Sequence, residues 1–355
     1  MPTEWAWIER YAEVFAASDV TAGELAVVLS ESRSRPDVVT TARLALQHLG
    51  ARVADVVVPT PPNPGPVPIR STGASLALTG QAAAVAACAA ADFVADCTVE
   101  GLLHAPQLDE ILAAGTRVLM ISAEHPENAE RWPVDPGLAE RVARGVALLE
   151  AAGEMTITSP AGTDLTVDLT GAVRAGSHGA TTGPGTIAHW PGGLVLAFPA
   201  AGTVSGRVVL APGDVNLTFK TYVRDRVELI VEDDTVTAIV GDGVDAILLR
   251  EYLAAFGEPE AFATSHVGWG MNTAARHTAM ALWDKADHNG TELRAVAGNV
   301  VFSTGANEVA GRYCRGHVDL PLFGCTVRLD GEAVVTDGVL RPDLAPAGGT
   351  GGDDA

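Results

Sequence analysis

The apolar pattern of this chain changes period once, near residue 136, and that change constrains the fold more than any single motif. Before it, strand-length apolar runs alternate with helical spacing. Trp5 to Ala17 reads as a helix, Leu25 to Leu29 as a strand, Pro36 to Leu49 as a helix with proline in its first turn, and Arg52 to Val58 as a strand. After the proline-rich stretch Pro59 to Pro68, an alanine-rich segment leads to a strand at Phe93 to Thr98, a helix near Leu108 to Ala114 and a strand at Arg117 to Ile121. Such alternation implies a parallel sheet with helices on its faces. No GxGxxG follows the first strand, which argues against a dinucleotide fold.

Beyond a helix from Pro136 to Ala152 the pattern turns to short alternating strands, such as Met155 to Thr158, Leu165 to Leu169, Val227 to Val231 and Thr235 to Val240. A helix at Asp245 to Ala255, the segment Phe262 to Arg276, and strands at Val296 to Thr304 and Cys325 to Leu329 complete this half. We therefore expect an α/β chain: an N-terminal parallel-sheet α/β domain over 1–135, then a mixed or antiparallel α+β domain over 136–342. A tail over 343–355 follows, ending in PAGGTGGDDA, too poor in apolar residues to fold and expected to be disordered.

Charge narrows the partners. Lys and Arg total 23 against 44 Asp and Glu, a formal charge of −21, which would repel a phosphate backbone. The nearest approaches to a basic patch, Arg33 with Arg35 and Arg224 with Arg226, have acidic neighbours in Glu31, Asp37 and Asp225. Nucleic acid is not an expected partner. The alanine-rich stretch Leu76 to Ala95 is interrupted by Gln81 and Asp92, so no membrane span is expected. Four sparse cysteines without CxxC spacing suit a reducing compartment, and the early Glu4, Glu9 and Glu13 do not suit a signal peptide; a cytoplasmic protein is expected. We further expect a homo-oligomer.

Among nine histidines, the sharpest arrangement is GHVDLP, with His317 and Asp319 two residues apart. On an extended segment both side chains point to one face, where an imidazole and a carboxylate can share a metal ion; a histidine simply bonded to its neighbouring carboxylate is the competing reading. His266, in SHVGWGMN, is the candidate third ligand, placed where a strand would end in a Gly-rich turn. His189, in GTIAHWPGG, suits an active-site base or a turn residue, and His104 falls where a parallel strand would end, the usual ligand-binding edge of α/β folds. His48, His125 and His288 are read as structural, and His178 and His277 as supporting groups near a site at most.

The segments His266 to Asn272, GNVVFSTG at Gly298 to Gly305, and Gly316 to Gly338, together with PGG at Pro191 to Gly193, resemble the thermophilic-type metalloaminopeptidases and, more closely, their relatives the 2,5-dihydroxypyridine 5,6-dioxygenases. The peptidase pattern requires glutamate after PGG, where this chain has Leu194; glutamate where it has His266; and histidine where it has Val301. The resemblance thus implies a thermophilic metalloaminopeptidase-like fold that has lost its two-metal site. It leaves His266, His317 and Asp319, a set that binds non-haem iron(II) with open positions.

The implied activity is extradiol-type opening of 2,5-dihydroxypyridine to N-formylmaleamate, or of a related hydroxylated N-heterocycle, using Fe(2+) and dioxygen. The resemblance assigns His189 as base and His104 as an orienting group, and Ser303 and Arg294 are candidate substrate contacts. Two alternatives stay open: a zinc aminopeptidase or hydrolase of the thermophilic type, and a non-catalytic binding protein on the same scaffold.

Overall fold

The computed structural model describes residues 3–62, 75–121, 125–126, 128–132, 134–181, 183–285, 287 and 289–346. The proline-rich stretch beyond residue 62, His288 and the tail from residue 347 lie outside the described residues.

The expected α/β class is observed. Strands Leu25–Glu31, Arg52–Val58, Phe93–Asp96 and Arg117–Met120 form a parallel sheet, with the helix Trp5–Ala17 before the first strand and Pro36–His48, Ala82–Ala89 and Leu108–Ala113 between successive strands in sequence. Alternation along the first strand explains the layering. Ala26 and Val28 enter a core with Phe15 and Leu46, whereas Val27 and Leu29 enter a second core with Val85 and Ile111.

The sheet is completed by a strand from outside the first 135 residues. Ile187–His189 pairs in parallel with Arg117–Met120, so the expected division at 136 puts into the second half a strand that belongs to the first sheet. His189 correspondingly lies on a strand, with glycines and Pro191 beyond it, instead of within a loop. The GTIAH stretch is too short for periodicity to reveal it.

The remainder holds two large antiparallel sheets and a two-stranded one, Val215–Asn216 with Thr221–Tyr222, among the described residues. An eight-stranded sheet runs from Thr235–Val240 at one edge to Val339–Leu340 at the other. A five-stranded sheet has the order Arg312–Leu322, Val300–Asn307, Thr264–Gly270, Leu194–Phe198, Val173–Ser177. One large core joins these sheets with the helices Leu138–Ala151 and Val244–Ala255, through residues such as Leu149, Val167, Tyr252, Trp269 and Phe302. The strand expected from Val296 begins only at Val300. Gly298 is the reason: its φ is +81° and a Cβ there would lie 1.8 Å from the Gly338 carbonyl oxygen, so residues before 300 turn instead of extending.

All four cysteines are buried and free. Among the described residues no helix is long and apolar enough to cross a membrane.

Candidate functional site

The five-stranded sheet faces the parallel sheet across a cleft of about 610 Å³, measured out to its open mouth. The parallel sheet contributes the C-terminal ends of its strands: Met120 and His189, which pair directly, and Glu100, Gly101, Leu103 and His104 beyond Asp96. Ligands gather at such ends because loops diverge there and leave a crevice. The loop carrying His104 is held by the buried Asp96 carboxylate, which accepts hydrogen bonds from the Thr98 N–H (3.0 Å), the Thr98 hydroxyl (2.6 Å) and the Leu102 N–H (2.8 Å). Burial raises Asp96 to about 6 against the pull of those bonds.

On the opposite wall, strand pairing sets a lattice. Ser303 lies opposite Asp319 and Gly305 opposite His317, while His266 reaches the same face from the neighbouring strand. The period of two puts His317 and Asp319 together as expected, with His317 Nε2 3.1 Å and His266 Nε2 3.4 Å from Asp319 Oδ1. The imidazole rings of His266 and His317 are 5.1 Å apart. All three residues are buried, and their ligating atoms lie within 4.8 Å of one another, close enough to converge on a single ion.

His266 occupies the third residue of its strand instead of ending it. The Gly-rich run stays in the strand because its neighbours demand it: a Cβ on Gly268 would lie 2.0 Å from the Val195 carbonyl oxygen.

The electrostatics suit a ligand cluster. Burial would raise the Asp319 carboxyl, but Arg294, His317 and their hydrogen bonds hold it well below the usual range. Arg294 Nε donates to Asp319 Oδ2 at 2.5 Å, which leaves Oδ1 directed at the histidines. Burial pushes His317 down to about 4 despite Asp319, so the imidazole is neutral with a lone pair to give. The Ser265 hydroxyl donates to the Ala306 carbonyl and lies 3.3 Å from His266 Nδ1, so it can accept that N–H and leave Nε2 as the ligating nitrogen.

Ser303, a candidate substrate contact, is fully buried; its hydroxyl lies 3.0 Å from His266 Nε2 and donates to Asp319 Oδ1. In this structure it meets the His266, His317 and Asp319 cluster instead of the open cleft. Arg294 does both, bonding Asp319 and lining the cleft.

His189 and His104 line the same cleft. The His189 ring donates from Nδ1 to the Pro191 carbonyl at 3.0 Å, which leaves Nε2 as the acceptor. Burial lowers His189 to about 4, and nearby Arg294 adds to this. His104 packs its ring 4.7 Å from that of His317. His277 bonds the Gly213 carbonyl at 2.7 Å, His125 stacks on Trp283, and His48 packs on Trp5; none of these lines the cleft, nor does His178.

Leu194 and Val301, singled out in the sequence, pack with Leu196 and Phe198 as a separate apolar cluster, and Leu194 and Leu196 line the cleft. Other participants escaped the sequence reading. Glu292 is buried and accepts from both Arg131 terminal nitrogens at 3.0 Å and from the Arg276 N–H, anchoring the short helix Thr291–Ala295 that carries Arg294. Glu308 bonds His104. Acidic residues on short helices and turns look like solvated surface in a sequence, so only their long-range pairing reveals them.

Comparison with known proteins agrees with this geometry. The family model of NicX, 2,5-dihydroxypyridine 5,6-dioxygenase, matches residues 6–342. The curated 2,5-dihydroxypyridine 5,6-dioxygenase of Pseudomonas putida is 36% identical over 344 residues, covering 96% of this chain and 97% of the relative. The solved structure of the dioxygenase from Pseudomonas putida superposes with a TM-score of 0.90 at 35% identity, over 96% of this chain and 98% of that one. AmpT from Thermus thermophilus matches with a TM-score of 0.63 at 15% identity, over 94% and 98% of the two chains; at that identity the likeness shows the fold alone, and it is the aminopeptidase-like fold expected. With a match along nearly its whole length, the chain belongs to the 2,5-dihydroxypyridine 5,6-dioxygenase family.

Proposed function

We propose that this protein opens the ring of 2,5-dihydroxypyridine, or of a closely related hydroxylated N-heterocycle, with dioxygen, and that iron(II) is held by His266, His317 and Asp319. The observation that carries the reading is the contrast around that cluster. Two imidazoles and one carboxylate converge, while the positions that would have to supply a second ion, Leu194 and Val301, are packed in an apolar cluster. Two-metal hydrolysis needs ions about 3.5–4 Å apart with polar ligands on both, which an apolar wall cannot provide. The aminopeptidase alternative is disfavoured on that ground.

The donor set fits the metal, since two neutral imidazoles and one carboxylate with remaining positions free are the pattern of non-haem iron(II) oxygenases. Iron(II) held by His266, His317 and Asp319 would lift the spin barrier between ground-state dioxygen and a closed-shell ring, the ring itself providing the electrons. The protein's own groups do the rest. Leu194, Leu196 and Met120 offer apolar surface to a flat ring. Arg294 fixes the Asp319 carboxylate and faces the ring's polar edge. His189, neutral and with Nε2 unprotonated, takes the proton from a ring hydroxyl, and His104 orients the substrate.

The test is oxygen uptake by the iron-loaded protein on adding 2,5-dihydroxypyridine, together with metal analysis. One iron per chain and one dioxygen consumed per ring support the proposal. Two zinc ions per chain with peptide hydrolysis would replace it, and absence of any bound metal with tight ring binding would favour the binding protein. Sedimentation of the same preparation checks the expected homo-oligomer.

A further inference from the structure

We propose that Glu308 is a positioning residue that fixes His104 in one tautomer and orientation across the cleft. The inference rests on the ring-opening function proposed above, which it deepens by explaining how one wall of the cleft sets the chemistry of the other.

His104 stands on the loop that leaves the parallel sheet, and Glu308 stands on the turn between the strands Val300–Asn307 and Arg312–Leu322 of the antiparallel sheet. Their side chains meet at 3.1 Å, Nδ1 to Oε1, over a separation of 204 residues. An ionised carboxylate only accepts, so Nδ1 must carry the hydrogen, and in the neutral ring Nε2 is then the lone-pair atom. Burial, the largest single influence, would raise the Glu308 carboxyl, but the His104 hydrogen bond and nearby favourable charges together hold it below its ordinary value.

Nε2 is the atom the arrangement delivers. The His104 side chain is 6% exposed, and its Nε2 is buried without a hydrogen-bond partner among the described residues, although the residue lines the cleft. A buried imidazole nitrogen without a partner is costly unless something else supplies the missing hydrogen bond. A ring O–H or N–H entering the cleft meets that need.

The platform under Glu308 is rigid. Asn307 accepts from the Ala310 N–H across the turn and donates to the Pro199 carbonyl at 2.9 Å, which ties the hairpin tip to the residue that follows the strand Leu194–Phe198. Glu308 itself has a 40% exposed side chain, so an isosteric change there leaves the core untouched.

Two measurements on the full chain test the idea. The first needs no activity: nitrogen-15 spectra of the metal-free protein labelled at histidine should show His104 as the Nδ1–H tautomer, and Glu308→Gln should give a mixture. A wild-type ring carrying its hydrogen on Nε2 would overturn the proposal whatever the substrate proves to be. The second is a double-mutant cycle on the iron-loaded enzyme. Glu308→Gln should lower kcat for 2,5-dihydroxypyridine roughly 10–100-fold, with KM, iron content and Tm little changed, and should add nothing in a His104→Ala background. Losses that multiply in the double mutant, or full turnover in Glu308→Gln, would refute a role exerted through His104. If wild type consumes no oxygen with the pyridine while the tautomer result holds, the ring-opening reading fails and the positioning role stands.

Discussion

Two rows of side chains lie one strand step apart on the same face of the five-stranded sheet. One row runs through His266, Ser303 and Asp319; the other runs through Leu196, Gly268, Val301 and Pro321, which are paired in register across four strands. Along each strand the rows are two residues apart, roughly 7 Å. Yet the first is a hydrogen-bonded polar cluster, whereas the side chains of Leu196 and Val301 in the second belong to an apolar one. The sheet therefore supplies a lattice of positions whose geometry is common to both rows, and the chemistry follows from which residues occupy the points. Under the single-ion reading proposed above, Leu194 and Val301 are what make this part of the lattice apolar, leaving a flat apolar surface beside the His266, His317 and Asp319 cluster.

The strongest attack on this contrast is to empty the polar row. His266→Ala, His317→Ala and Asp319→Ala should each abolish bound iron and cut turnover by at least about 10³-fold while the fold persists, because a site short of one of three protein ligands holds iron(II) poorly. Near-normal iron and oxygen uptake in any of them would remove that residue from the site.

Next in size is His189, proposed above as the base. His189→Ala should keep its iron and bind substrate yet turn over roughly 10²–10⁴-fold more slowly, and the loss should shrink at alkaline pH, where the ring hydroxyl ionises unaided. If His189 only braces the Pro191 turn, the variant will melt lower with turnover hardly altered. Its depressed pKa also has a stability consequence in the metal-free protein. The folded chain prefers His189 neutral, so this contribution is present above the unfolded value near 6.5 and is lost as pH falls toward about 4. Denaturant titrations over that interval should show less acid destabilisation in His189→Ala than in wild type.

Converting the apolar row is a smaller perturbation to chemistry than to stability. Leu194→Glu places a carboxylate at a 2% exposed position among Leu196, Val301 and Phe198, and should cost about 2–4 kcal/mol by denaturant unfolding. It should create no aminopeptidase activity, since Val301 still offers no ligand. Peptide hydrolysis by this single variant would show that a two-metal site survives. Smallest of all, Phe198→Leu trims a ring that packs 5.3 Å from His266 at the border between the rows; iron affinity should weaken by no more than about 10-fold on competition with a chelator.

How much of this was legible in the sequence follows from the range of each interaction. The HxD spacing of His317 and Asp319 is local and period-two, so it read correctly. The strands and helices of the first half carry their own periodicity, and Trp5–Ala17 and Arg52–Val58 have the expected bounds. His266 was identified but misplaced, because a run of glycines reads as a turn unless the tight backbone approach around Gly268 is known. Ser303 was read as a substrate contact because nothing local says that Asp319 lies opposite it. Glu292 and Glu308 passed unnoticed for a similar reason, as their partners Arg131 and His104 are 161 and 204 residues away.

The strand Ile187–His189 has one further consequence. The chain leaves the parallel sheet after Met120, builds part of the antiparallel half, returns to supply that sheet's last strand, and departs again through Trp190, which is buried in the first half's core. The halves are stitched, not merely tethered. Severing the chain near residue 136 would leave one fragment with an unpaired sheet edge and the other with a strand that has no sheet to join, so neither fragment should fold alone. Unfolding should accordingly be one cooperative event, and the cleft, lying across the stitch, should vanish with the fold as a whole instead of opening ahead of it.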